Sequence, residues 1–551
     1  MKRRIVLLLL LVLSFGSGFF VASKHPFSRK DIGSAQKLIG LQLSKGDVDT
    51  MFSYLERNLT GYEAMRNLRL PETVVPPLLF TTNYQEGSKE QHKKIDWSVE
   101  TNPNAVSNEE LAFLSVEQLA ALIKAKKVSS VELTQLFLDR IKQYDPTLLA
   151  VITVTEELAL AQARKMDEEL EEGKYRGPLH GIPYGIKDLF AVQGYPTTWG
   201  SKPYEHQVLD YNATVVTKLE EAGAVLAAKL TSGALARGDV WFGGQTKSPW
   251  DTTQGASGSS AGVGSAVAAG LVPFGIGTET LGSIVSPSSR CGVTGLRPTF
   301  GRVSRYGCMS LSWSMDKPGP IAKTAMDCAL VLEAIMGPDN LDLTVDDVQL
   351  LHPAALSAKS LRVGYLKGMM KNDSTELGKN AIAILDRLME AGYEMHEIEL
   401  PAEDSIPYSA FDVILRAEAG AFFDDLVRSH DVDKMVEQTG GSRANSLRQS
   451  RFIPAVEYLQ ANRHRQVLMD KMDETLAGID ILISPTFSRQ LLITNLTGHP
   501  ALAFPTGFDD KKRPTSLTLV GHLFEEDKLV AFGSEIQGLT DFHLQHPPMF
   551  K

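Results

Sequence analysis

The 551-residue sequence predicts a single large α/β domain, with a central mixed β-sheet flanked by helices and a small helical segment in front of it. Three observations predict this. Amphipathic helical stretches alternate with short β-branched runs over most of the chain, which is the rhythm of a layered α/β fold. No repeat of 20–50 residues breaks that rhythm, so a solenoid or propeller is excluded. A hydrophobic share of 43% and a charged share of 22% are those of an ordinary globular chain.

From the N-terminus, Lys2-Arg3-Arg4 precedes an apolar run from Ile5 to Ala22, broken by Ser14, Gly16, Ser17 and Gly18. A basic start, a leucine-rich stretch and small residues beyond it predict a signal peptide over residues 1–23 and an exported, periplasmic or secreted protein. The rival is an uncleaved anchor through residues 5–22, because the run just reaches spanning length. The Gly/Ser break favours cleavage, and only the anchor would bring a membrane into play.

Residues 24–106 read as a helical segment and linker. Asp31 to Leu43 and Asp47 to Leu55 carry apolar residues at helical spacing. Pro71, Pro76-Pro77 and the polar stretch from Asn83 to Asn104 read as extended chain. This segment is expected to pack against the main domain or to extend one wall of its site.

The main domain is expected over residues 107–545. Ser115-Val-Glu-Gln118 and Ser129-Ser-Val-Glu132 are capping boxes that open helices over Val116 to Lys126 and Ser130 to Tyr144. Asp145-Pro146 is expected to stop the second. Leu149 to Thr155 reads as a strand, and a helix from Ala213 to Ala222, ended by Gly223, leads into another at Ala224 to Lys229. Later strands are expected at Leu361 to Tyr365, Glu394 to Leu400, Ile479 to Ser484, Ala501 to Pro505 and Thr515 to Gly521, with a helix near Thr375 to Ala391.

Bulk properties exclude several functions. A net charge of −10 without a dense Lys/Arg run argues against a nucleic-acid partner. Cys291, Cys308 and Cys328 are too few and too irregular for a disulfide framework or zinc site, and read as small buried side chains. No Walker A loop, no H-E-x-x-H and no complete dinucleotide fingerprint occurs, so no cofactor and no metal are expected.

The chemistry concentrates in three motifs. Gly255-Ala-Ser-Gly-Ser-Ser-Ala-Gly262 and Gly277-Thr-Glu-Thr-Leu-Gly-Ser283 are poor in bulk and rich in hydroxyls and backbone N–H groups. Such stretches suit a serine nucleophile beside an oxyanion site. Leu271 to Gly277 reads as a buried strand, so Thr278 to Ser283 falls in the turn beyond it. There the N–H groups of Thr280, Leu281, Gly282 and Ser283 are expected to converge on one acceptor; a glycine-rich turn with a capping serine is the plainer alternative. The third motif, Gly181-Ile-Pro-Tyr-Gly-Ile-Lys187-Asp188, holds a lysine in an apolar frame. Burial would draw its pKa down from ~10.4 toward neutrality and let it act as a base. The alternative is a strand-end lysine paired to Asp188 or another carboxylate.

In this order and spacing, followed by Cys291-Gly-Val-Thr-Gly-Leu-Arg-Pro-Thr299, Ser314-Met-Asp-Lys-Pro-Gly-Pro320 and Ser484-Pro-Thr486, the motifs resemble those of the amidase signature family. The resemblance runs from about residue 110 to about residue 540. It implies a Ser–cis-Ser–Lys triad that cleaves carboxamide C–N bonds of a small-molecule amide through a serine acyl-enzyme. By position Ser283 matches the nucleophile, Ser259 the bridging serine and Lys187 the base. The chain departs from the family at Leu281, where a glycine is usual, at Val285, where an arginine is usual, and at Glu279, Ser257 and Ala261. A leucine at a position needing φ > 0 would be strained by about 1–2 kcal/mol.

Four rival readings remain. Gly258-Ser-Ser260-Ala-Gly262 also fits the G-x-S-x-G elbow of α/β-hydrolases, with His499 and His522 downstream. Ser34-Ala-Gln-Lys37 fits S-x-x-K but lacks the companion motifs and reads as helix surface. Within the family, an amidotransferase A-subunit-like glutaminase is the alternative. Leu281 and Val285 motivate a catalytically impaired binding protein.

Overall fold

The computed structural model describes residues 27–68, 95–97, 107–369 and 375–550. The apolar run at 5–22 and most of the expected linker lie outside the described residues. Among the described residues no helix is long and apolar enough to cross a membrane.

Among the described residues fifteen strands form along the main domain. β1 (Val151–Val154), β2 (Pro183–Lys187) and β3 (Val225–Leu230) come first. β4 (Val240–Trp241) with β5 (Gly244–Gln245), and β6 (Lys247–Ser248) with β7 (Asp251–Gly255), make two small ribbons. β8 (Gly275–Glu279), β9 (Thr294–Arg297), β10 (Lys317–Ala322), β11 (Val363–Leu366), β12 (Met395–Ile398), β13 (Ile481–Pro485), β14 (Ala501–Phe508) and β15 (Pro514–Gly521) follow. Eleven of them form one sheet in the order β1-β3-β2-β8-β10-β9-β14-β15-β13-β11-β12. β2 runs parallel to β3 and to β8, whereas β10 is antiparallel to β8 and to β9, so the sheet is mixed as expected. The middle strands β2, β3, β8, β9 and β10 are buried at every residue. That explains why they read as continuous apolar or small runs rather than alternating ones.

Several boundaries differ from expectation. The helix Ser130–Leu148 does not stop at Asp145-Pro146 but carries Pro146 in its last turn. A proline there forfeits one hydrogen bond, and Asp145 secures the helix end instead: its Oδ1 accepts the N–H groups of Ala150 and Val151 at 2.7 and 3.0 Å. Strand β8 begins at Gly275, four residues later than the expected start, and takes in Thr278 and Glu279 from the expected turn. β10 is a strand that Pro318 and Pro320 argue against at the centre of a sheet; β9 pairs with it only at Ile321 and Ala322, beyond both prolines.

The N-terminal segment forms the helices Arg29–Leu38 and Lys45–Asn67. The second runs twelve residues past the expected end at Leu55, since Asn58, Gly61, Tyr62 and Met65 find burial against the main domain. Asn58 Nδ2 donates to Gln449 Oε1 at 2.8 Å, Thr50 Oγ1 to Asn445 Oδ1 at 3.0 Å, and Asp47 pairs with Arg448 at 3.0 Å. A side chain at Gly61 would meet Ser409 O at 2.8 Å, so glycine permits this close approach. The segment is therefore packed onto the main domain.

Candidate active site

Lys187 ends β2, fully buried, at the point where β2 passes between β3 and β8. Its Nζ lies 2.8 Å from Ser259 Oγ, 2.8 Å from Thr278 Oγ1 and 3.3 Å from Thr278 O. Among the described residues no carboxylate pairs with it. Burial draws its pKa down to about 7, against smaller opposing effects of Cys308, Asp316 and Glu279. Asp188, the expected alternative partner, points elsewhere and pairs with Lys229 at 2.7 Å in a fully buried ion pair. Consecutive residues leave a strand on opposite faces, so one motif delivers an amine without an ion pair to one side and a paired carboxylate to the other.

Ser259 follows a cis peptide bond, Gly258–Ser259, just ahead of the helix Ala261–Ala268. A Cβ at Gly258 would fall 1.8 Å from Gly238 O, so only glycine fits there. Ser257 stands at φ +63°, at a position where the resemblance led one to expect glycine; its hydroxyl bonds Ser286 Oγ at 2.7 Å and its N–H donates to Asp239 Oδ2 at 3.0 Å. Ser260 is buried, and its Oγ contacts Thr278 O and the Thr278 N–H, each at 3.2 Å. That hydroxyl holds the loop to β8. Of the histidines of the elbow reading, His499 Nδ1 meets Thr497 Oγ1 at 2.7 Å and His522 Nε2 meets Ile479 O at 2.8 Å. The Ser260 hydroxyl thus engages β8 and neither histidine, against the rival α/β-hydrolase reading. Ser34 and Lys37 lie on the helix Arg29–Leu38, as a surface pair should.

Ser283 sits in the turn between β8 and the helix Val285–Cys291. The Ser260 N–H donates to Ser283 O at 3.2 Å, which joins the two glycine-rich stretches directly. The turn is held by Glu279, whose Oε2 accepts the N–H groups of Ile284 and Val285 at 2.8 and 3.0 Å. Its Oε1 pairs with Arg297 at 2.7 Å and accepts from Asn495 at 2.8 Å. Although burial alone would raise the carboxyl pKa, Arg297 and these hydrogen bonds hold it at about 2. The N–H groups of Leu281, Gly282 and Ser283 donate to no protein group among the described residues. Leu281 keeps a negative φ while Gly282 takes +86°, so the leucine carries none of the left-handed strain its position raised. Its side chain is 37% exposed.

Thr280, Leu281, Ser283 and Gly258 line a cavity of about 270 Å³, which Tyr54 and Arg57 of the N-terminal helix also line. The volume lies just below the range of small-molecule pockets, ~300–1,000 Å³. Thr278, Arg297, Asn495 and the Asp188–Lys229 pair were not singled out from sequence. Arg297 lies inside a recognisable motif, but Asn495, in the helix Arg489–Thr497, carries no local signal of its role.

Comparison with known proteins assigns the family. The Amidase family profile matches residues 132–492, about two thirds of the chain. The chain belongs to the amidase family. It is accordingly a hydrolase of amide C–N bonds, as the motifs led one to expect. It is 34% identical over 481 residues to the A subunit of the glutamyl-tRNA(Gln) amidotransferase of Coxiella burnetii (strain Dugway 5J108-111), covering 79% of this chain and 99% of that one. Among solved structures, the amidase family protein from Bacillus anthracis str. Ames superposes with a TM-score of 0.72 at 26% identity, covering 80% of this chain and 93% of that one. The native peptide amidase from Stenotrophomonas maltophilia does so with a TM-score of 0.70 at 28% identity, covering 80% and 100%. The family match begins after residue 131, so Tyr54 and Arg57 reach this amidase's pocket from outside it.

Proposed function

We propose that this amidase hydrolyses a carboxamide through an acyl-enzyme on Ser283, with Lys187 as base and Ser259 as relay. The observation that carries the reading is the 2.8 Å contact between Ser259 and a buried lysine held near neutrality. A neutral amine has two N–H groups and one lone pair. The N–H groups can go to Thr278 O and Thr278 Oγ1, leaving the lone pair for the Ser259 hydroxyl. Ser259 then takes the proton of Ser283 as that oxygen attacks the carbonyl carbon. The tetrahedral oxyanion is received by backbone N–H groups of the 280–283 turn, which have no competing acceptor at Leu281, Gly282 and Ser283 among the described residues. The proton returns through Ser259 to the leaving amine, and water resolves the ester. Domain boundaries at about 107 and 545 belong to this reading.

Ser259→Ala tests the relay. Ammonia release from a panel of primary amides should fall by about 10²–10⁴-fold, the scale of a lost proton-transfer group. Labelling of the protein by a fluorophosphonate should persist in part. Full wild-type turnover would remove Ser259 from the mechanism.

A second reading is favoured by the identity to the amidotransferase relative: an ammonia-yielding glutaminase that works with protein partners. The same ammonia assay with free glutamine as sole substrate separates the two. We also propose export through residues 1–23, on the strength of the basic and apolar run there. Cell fractionation with N-terminal sequencing checks it; a cytosolic chain that retains residue 1 would contradict it.

A further inference from the structure

The cavity that Ser283 lines is strongly cationic. Arg57, Arg237, Arg416 and Arg443 line it, against one carboxylate, Asp412. Asp412 is already used, since it pairs with Arg416, which also donates to Asn58 Oδ1 at 2.8 Å. The other three guanidiniums form no ion pair among the described residues, although the Asp316 carboxylate acts on Arg443 from a distance. Arg443 is 5% exposed and donates only to the carbonyls of Leu235 and Ala236, at 3.1 and 3.2 Å. A buried charge with no opposite charge costs several kcal/mol unless something supplies one. Arg57 lies 4.3 Å over the Tyr54 ring and, like Arg237, forms no ion pair among the described residues. Like charges gathered in one small cavity repel, so an anion entering it would be stabilised.

We propose that the substrate of this pocket is an amide bearing a carboxylate, which Arg57, Arg237 and Arg443 hold while the amide carbon faces Ser283. This rests on the hydrolase reading above and adds the substrate class to it. The planar guanidinium fork suits a carboxylate in two-point contact. Arg57 gives the N-terminal helix a task in selectivity that the matched family segment does not supply.

The test compares kcat/KM for paired anilides on the full chain. Glutaryl-p-nitroanilide is set against hexanoyl-p-nitroanilide, and N-butyryl-4-aminobenzoate against butyrylanilide, so that the carboxylate sits on the acyl side or the amine side. The charged member of at least one pair should be preferred tenfold or more, with a preference that weakens in high salt. Arg57→Gln and Arg237→Gln should each shrink that ratio about tenfold. Where neither pair turns over, protection of Ser283 from a fluorophosphonate by glutaramate, and not by pentanamide, reads the same preference. Equal or inverted preference in both pairs, with turnover or Ser283 labelling intact, overturns the proposal and leaves the hydrolase reading standing. Absence of both turnover and Ser283-dependent labelling overturns both.

Discussion

Ser283→Ala is expected to lower kcat on any amide substrate by roughly 10⁶-fold, the loss seen when a serine nucleophile is removed from a hydrolase. The size follows from its place in the reaction. Without the oxygen no acyl-enzyme forms, and the remaining site offers only binding and an oxyanion cradle. Alanine keeps the φ/ψ of the turn, and the hydroxyl makes no hydrogen bond that holds the fold together. The Glu279–Arg297 pair and the Ser260–Ser283 backbone contact stay in place, so the thermal midpoint should hardly move. Fluorophosphonate labelling should vanish, and mass mapping of wild type should find the adduct on Ser283. An adduct elsewhere, or turnover within tenfold of wild type, would assign the nucleophile to another residue.

Lys187→Ala should cost about 10²–10⁴-fold in kcat/KM, the usual share of a general base. It leaves Ser259 Oγ and Thr278 Oγ1 without their lysine partner in a buried place, so some stability is lost as well. Activity alone would not separate the two effects. The pH profile does. In wild type the neutral amine is the working form, so activity rises with pH through a midpoint near 7 and levels off above it. The variant should lose that limb together with the rate. A lysine that merely braced the loop would lower the plateau and leave the limb unchanged.

Much of this site was legible in the sequence because it is built from local motifs. Lys187, Ser259 and Ser283 each stand in a glycine-rich frame whose small residues serve backbone approach, as Gly258 against Gly238 O shows. Strands with β-branched residues were legible for the same local reason. What escaped was long-range. Asp188 looked like a partner for Lys187, and only strand geometry turns it toward Lys229. Glu279 looked like a mere departure from family usage. Its anchoring role needs Arg297 and Asn495, the latter more than two hundred residues away in sequence. β10 hid behind its prolines, and Pro146 read as a stop because its compensation by Asp145 is a tertiary detail. The arginines of the cavity come from the N-terminal helix, the loop after β3 and two later helices, so no window of sequence contains them together.

The pH dependence of wild-type kcat/KM on a non-ionising amide tests the central claim most directly. If a buried neutral Lys187 draws the proton, the profile should show one acid limb with a midpoint near 7, and at pH 5 the rate should be about one hundredth of the plateau. A profile that stays flat from pH 8 down to pH 5 in a protein still folded at pH 5 would contradict it.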